Sequence, residues 1–214
     1  MTTTAPLHPG WTVQLAIHRA VRRDLTRLSD ALARSDAAIP PAVRAYWGET
    51  ARQLHHHHIL EDSAIWPLMA ERLGPPVRGL LERNAAEHMT MAAAMDEFES
   101  VATATAGDLA GARIALVRLA QTVDTHLGHE ERDVLPLIPD AFSAEDIAFF
   151  SAESGRTNPA DRFLPWVLDG ATDDDGRFFT GALPGPVRTT LDSRWMPQWL
   201  ATVDDMTRTR VRMS

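Results

Sequence analysis

The sequence predicts an all-α protein: an up-down-up-down antiparallel four-helix bundle followed by a short-helix, aromatic-rich C-terminal extension. Three observations lead there. Apolar residues recur at helical spacing over four long stretches, with no strand alternation across residues 1–140. The breaks between them are short runs of glycine and proline, and short connections make consecutive helices antiparallel neighbours. A motif in the second stretch is repeated in the fourth, offset by 69 positions.

The first helix is expected from Trp11 to about Ala33, with Val13, Ile17, Val21, Leu25, Leu28 and Leu32 marking its inner face. Pro40 and Pro41 break the chain and can open the next helix, because proline fits a first helical turn. The second helix then runs to about Leu73, where Gly74, Pro75 and Pro76 stop it. The third spans about Val77 to Ala104, with Leu80, Leu81, Met91, Met95 and Phe98 inside. Asp108 is a plausible N-cap for the fourth, which runs to about Val134 or slightly beyond. Ser143 and Asp146 resemble a helix start, giving a short helix to about Ser151. The rest of the tail is cut by Pro159, Pro165, Gly170, Gly176 and Pro184. It still carries Phe163, Trp166, Phe178, Phe179, Trp195 and Trp199, too many aromatics for a disordered linker. The expected organisation is a four-helix bundle over residues 11–140 and a helical extension over 141–214, packed on the bundle or on a second subunit.

The repeat carries the chemistry. His57 precedes Glu61 by four, and His126 precedes Glu130 by four; Pro67 and Pro136 follow at the same offset. Each copy also has a lone upstream histidine, His18 or His88. Residues four apart lie one turn up the same helix face, so each pair can aim at one point beside its axis. A duplicated helix pair would gather four imidazoles and two carboxylates around a two-metal site. Nitrogen and oxygen donors without sulfur favour iron or manganese over structural zinc.

Several neighbours are candidates for supporting roles. In the run His55–His58 only one ring is expected as a ligand. His58 stands four before Asp62 and rivals the His57/Glu61 pair, but the aligned prolines and the His126/Glu130 counterpart favour His57. His129 with Asp133 is a weaker rival. Asp62 and Glu131 each follow a candidate ligand by one; they are either solvated acids or acceptors for imidazole N–H groups, a role open to Glu87 too. Gln14 is four before His18 and Asn84 four before His88, so these amides either line the open side of the site or are ordinary exposed amides.

At these residues the chain resembles the hemerythrin-like (HHE cation-binding) family, of bacterial type, over about residues 11–140. The resemblance implies a bundle holding two irons joined by an oxo or hydroxo bridge, with Glu61 and Glu130 as bridging carboxylates. It implies binding of, or reaction with, O2, peroxide or nitric oxide. The ferritin-like bundles instead use Glu-x-x-His, and no glutamate here has a histidine three residues later. The chain departs from the oxygen carriers at Asn84, where they have a further histidine, and in ending its last motif His-x-x-x-Glu rather than His-x-x-x-x-Asp. One imidazole fewer would leave a more open metal sphere and favour redox turnover over reversible carriage. The expected function is therefore oxidase-, peroxidase- or catalase-like chemistry with no catalytic group apart from the metal ligands. The alternative is a non-enzymatic O2, nitric oxide or iron sensor. An organic substrate is open, as is manganese or zinc in place of iron.

Composition narrows the field. With no cysteine, disulfides, thiolate-held clusters and a cysteine nucleophile are excluded; with no lysine, so is Schiff-base chemistry. A formal net charge of −8 argues against nucleic acid as a partner. No stretch is apolar enough to span a membrane, and the N-terminus does not read as a signal peptide, so a cytoplasmic protein is expected, with a homodimer allowed by the aromatic tail.

Overall fold

The computed structural model describes residues 8–36, 38–104 and 108–208, and is all-α. Helix α1 (Pro9–Arg34) starts two residues before the expected point, because the His8 ring accepts a hydrogen bond from the Gly10 amide ahead of Trp11. Helix α2 (Pro41–Leu60) passes through a π-helical turn (Glu61–Ile65) into α3 (Trp66–Leu73). Gly74, at φ +73°, ends α3, and Pro75 opens α4 (Pro75–Thr103). Asp108 caps α5 (Leu109–His129) through its carboxylate and the Gly111 amide, at 2.8 Å. A second π turn (Glu130–Val134), a 3-10 turn (Leu135–Leu137) and the short α6 (Ile138–Ala141) complete this rod.

The two π turns fall at the 69-residue offset and begin at Glu61 and Glu130. Periodicity could not show them, since a single five-residue turn is too short to establish a different repeat. Helices α1, α2, α4 and α5 pack as a bundle with two apolar regions. One contains Val21, Leu28, Trp47, Leu54, Phe98 and Leu119; the other contains Trp66, Met69, Leu81, Val134, Leu135 and Phe142. The buried histidines and glutamates lie in the layer between them.

The chain continues through α7 (Ala144–Thr157), six residues longer than expected, then α8 (Ala160–Leu168), α9 (Asp173–Gly181), α10 (Gly185–Thr190), a third π turn (Leu191–Trp195) and α11 (Met196–Arg208). Capping boxes at Ser143/Asp146 and Thr172/Asp175 start α7 and α9. These helices pack on the bundle, and Trp166, Trp199 and Val203 join its larger apolar region. The anchor is Asp24, fully buried on α1. It accepts hydrogen bonds from Tyr46 Oη (2.6 Å), Trp166 Nε1 (2.7 Å) and Thr50 Oγ1 (3.1 Å), and pairs with Arg23 at 2.7 Å. Asp169 repeats the device, receiving Trp199 Nε1 at 2.8 Å and the Arg27 guanidinium. Burial and the Asp24 charge push the Tyr46 phenol above its ordinary value, so it stays a donor. No helix among the described residues is long and apolar enough to cross a membrane.

Replacing Asp24 with alanine orphans the Tyr46 and Trp166 donors, while Thr50 keeps its bond to Tyr46 O, and leaves Arg23 without its buried carboxylate. Urea unfolding should show a loss of about 3 kcal/mol or more. Trp166→Phe keeps an aromatic side chain but removes one charge-assisted bond and leaves a small void, for a loss of about 2–4 kcal/mol.

Candidate metal centre

Each helix of the bundle contributes to one buried layer. His18 comes from α1, His57 and His58 from the end of α2, His88 from α4, and His126 from the end of α5. Glu61 and Glu130 stand at the heads of the two π turns and are fully buried. Glu61 lies between two helices: its Oε1 is 3.4 Å from His57 Nε2 and its Oε2 is 3.5 Å from His88 Nε2. Glu130 mirrors it, with Oε2 3.4 Å from His18 Nε2 and 3.5 Å from His126 Nε2.

Eight donor atoms in this layer have no hydrogen-bond partner although they are sealed from solvent: the Nε2 atoms of all five histidines, Glu61 Oε2 and both Glu130 oxygens. Buried polar atoms are normally satisfied, and leaving them bare is costly. So many lone pairs aimed at one small space fit a cation. Among the described residues, ligand atoms lie within 4.8 Å of one another in three groups: His18, His57 and Glu130; His58, His88 and His126; and His57, His58 and Glu61. The first and second groups share no residue, and each carboxylate lies 3.4–3.5 Å from an imidazole of both.

The outer nitrogens are anchored. His18 Nδ1 bonds Glu131 at 2.9 Å, and Arg22 pairs with the same carboxylate at 2.5 Å. His88 Nδ1 bonds Asp62 at 2.9 Å, and His126 Nδ1 bonds Glu87 at 3.0 Å. Asp62 and Glu131 thus hold the two lone upstream histidines, each reaching across to the histidine of the opposite half. A carboxylate on Nδ1 fixes the ring and turns the Nε2 lone pair inward.

The family model described as the hemerythrin HHE cation-binding domain matches residues 11–138, more than half of the chain. The chain belongs to the hemerythrin HHE cation-binding family. Searches of curated proteins and of solved structures found no match. The hemerythrin domain implies metal binding, and the His/Glu groups of this layer fit it.

Two sequence expectations meet further geometry. The first is that only one of His55–His58 is a ligand. His58 is buried, stacks on His88 with ring centroids 4.2 Å apart, and shares its Nε2 grouping with His88 and His126. Successive residues are only about 100° apart on a helix, so where α2 crosses the centre both rings can face inward, one toward each side. His58 does not pair with Asp62, which is engaged by His88. The signal for it was available: Asn84 removes an imidazole from α4, and the adjacent helix carries a spare one. The layer thus gathers five buried imidazoles rather than four. The second concerns the amides. Neither is exposed; Gln14 donates from Nε2 to Glu61 Oε1, while Asn84 turns its Nδ2 back to Leu80 O at 3.4 Å. His129 bonds Glu87 at 2.7 Å, and Asp133 pairs with Arg83 and Arg132, so that rival pair points outward.

Electrostatics follow from the burial. Burial and the neighbouring histidines push His57 and His58 well below the ordinary imidazole value, leaving them neutral with free lone pairs. Burial and Glu130 push Glu61 well above the carboxylate range. Glu130 is also penalised by burial, but His18 and His126 hold it down to about 2. His18 loses protonation to burial and more than regains it from Glu130 and Glu131, ending raised. Without a cation, Glu61 and His18 therefore keep protons that ligation must expel. Near pH 6, cation loading should release about one to two protons per chain, and progressively fewer as the pH rises and these groups ionise beforehand. Apparent affinity should rise with pH. Calorimetry in buffers of differing ionisation enthalpy measures this, and a buffer-independent heat would contradict it.

Proposed function

We propose that this chain is a non-haem diiron protein that binds and reacts with O2 or peroxide, in oxidase-, peroxidase- or catalase-like redox chemistry. The observation that carries the reading is the set of eight unpartnered, buried donor atoms. His18 and His57 would hold one iron, and His58, His88 and His126 the other, with Glu61 and Glu130 bridging. Mixed imidazole and carboxylate donors without thiolate suit iron, and also accept manganese or zinc. When bound, the two irons would supply Lewis acidity and the electrons for O2 or peroxide reduction.

The residues around that centre perform the remaining tasks. Asp62, Glu87 and Glu131 hold the outer imidazole nitrogens and keep the ligand rings oriented. The apolar regions above and below exclude water and strengthen every charge interaction between them. Gln14 holds Glu61 in place and lines a cavity of about 510 Å³ that reaches His57. A diatomic ligand needs far less room, and this space beside the metal layer favours turnover over simple carriage.

A second reading has one specific support. His58 completes a set of five imidazoles, which suits a protein that binds O2, nitric oxide or iron without turnover, as a sensor or store. The two readings separate on one assay. Iron-loaded protein should consume peroxide, or O2 with a reductant, and Glu61→Ala should lower the rate by roughly 100-fold or more, since it removes a shared ligand. Reversible O2 binding with no net consumption would reject the enzyme reading and leave the second.

A further inference from the structure

The cavity that reaches His57 has a second wall that the bundle does not supply. Val13, Gln14 and Ile17 of α1 and Leu60 of α2 form its bundle side, and α7, α8 and α9 close over it with Phe150, Phe163, Leu164 and Phe179. At about 510 Å³ it is far larger than a packing defect and falls in the range of small-molecule sites. We propose that it is a binding site for a neutral, apolar small organic molecule, held by the C-terminal helices with one end against Gln14 and His57.

The chemistry of the lining selects that class. No arginine, aspartate or glutamate lines the cavity, and the chain contains no lysine. A charged ligand would have to give up its water with no counter-charge to meet it, whereas an apolar one gains by leaving solvent. Polar groups on the walls are mostly engaged with one another. Asn158 Nδ2 donates to Gln53 Oε1 at 2.7 Å, Arg52 donates to Asn158 Oδ1 at 3.0 Å, and His56 Nε2 bonds Thr157 Oγ1 at 2.7 Å. These pairs staple the C-terminal end of α7 to α2 and so form part of the wall. The polar end is where Gln14 and His57 meet Glu61. A ligand filling the cavity therefore lies against phenyl rings along its length and ends at the metal layer. Its role as the organic substrate or reductant of that layer rests on the redox reading above; its binding does not.

A matched pair of dyes tests this. N-phenyl-1-naphthylamine is neutral and fluoresces in apolar surroundings; 8-anilinonaphthalene-1-sulfonate is the same ring system with a negative charge. The protein as purified should bind the neutral dye saturably at one site per chain, and the sulfonate at least about tenfold more weakly. Val13→Trp, which fills the cavity from α1, should weaken the neutral dye by about tenfold or more, with metal content unchanged. Ala182→Glu places a charge on the exposed rim, where folding tolerates it, and should act in the same direction. Chelator-treated protein should retain dye binding, so that failure of the redox reading leaves this result standing. Absence of saturable binding, equal binding of the two dyes, or indifference to both substitutions would overturn the proposal.

Discussion

Glu61 and Glu130 share a solvent-free layer with five imidazoles, and much of the surrounding structure serves to keep them there. Removing an ionised carboxylate from water costs several kcal/mol unless opposite charge compensates it. The apoprotein meets that cost with protons: Glu61 is pushed toward its neutral form while Glu130 stays charged beside His18. Cations would replace the protons and satisfy the bare Nε2 atoms at the same time. Each glutamate heads a π turn, a departure from regular helical hydrogen bonding that is frequent at functional sites.

The anchors around the layer repeat its symmetry. Asp62 reaches from the second rod to His88, and Glu131 from the fourth to His18. Each half of the duplicated motif thus supplies a carboxylate facing inward and another that orients a histidine of the opposite half. Neither half is complete alone, which explains why the chain carries both copies in one bundle.

What the sequence made legible depended on local geometry. The pairs His57/Glu61 and His126/Glu130 were visible because i and i+4 share a helix face, and the stops at Gly74 and near Asp108 because glycine, proline and aspartate act within a turn or two. The all-α bundle followed from those signals. The inward placement of His58 was not legible, because its stacking on His88 depends on how α2 crosses α4. Gln14 was recognisable only as an amide near a histidine; its bond to Glu61 spans 47 residues. The packing of the tail was least legible, since Trp166 bonds Asp24 across 142 residues and no local pattern encodes that distance. The tail gives the bundle both a larger core and the far wall of the cavity, so its aromatics combine a stabilising role with a shaping one.

Anomalous X-ray diffraction at the iron edge, on crystals of protein from iron-supplemented cells, tests the central claim most directly. The account predicts two iron peaks within the layer, one beside His18 and His57 and one beside His58, His88 and His126, with Glu61 and Glu130 contacting both. A single peak, or none in that layer, would contradict it.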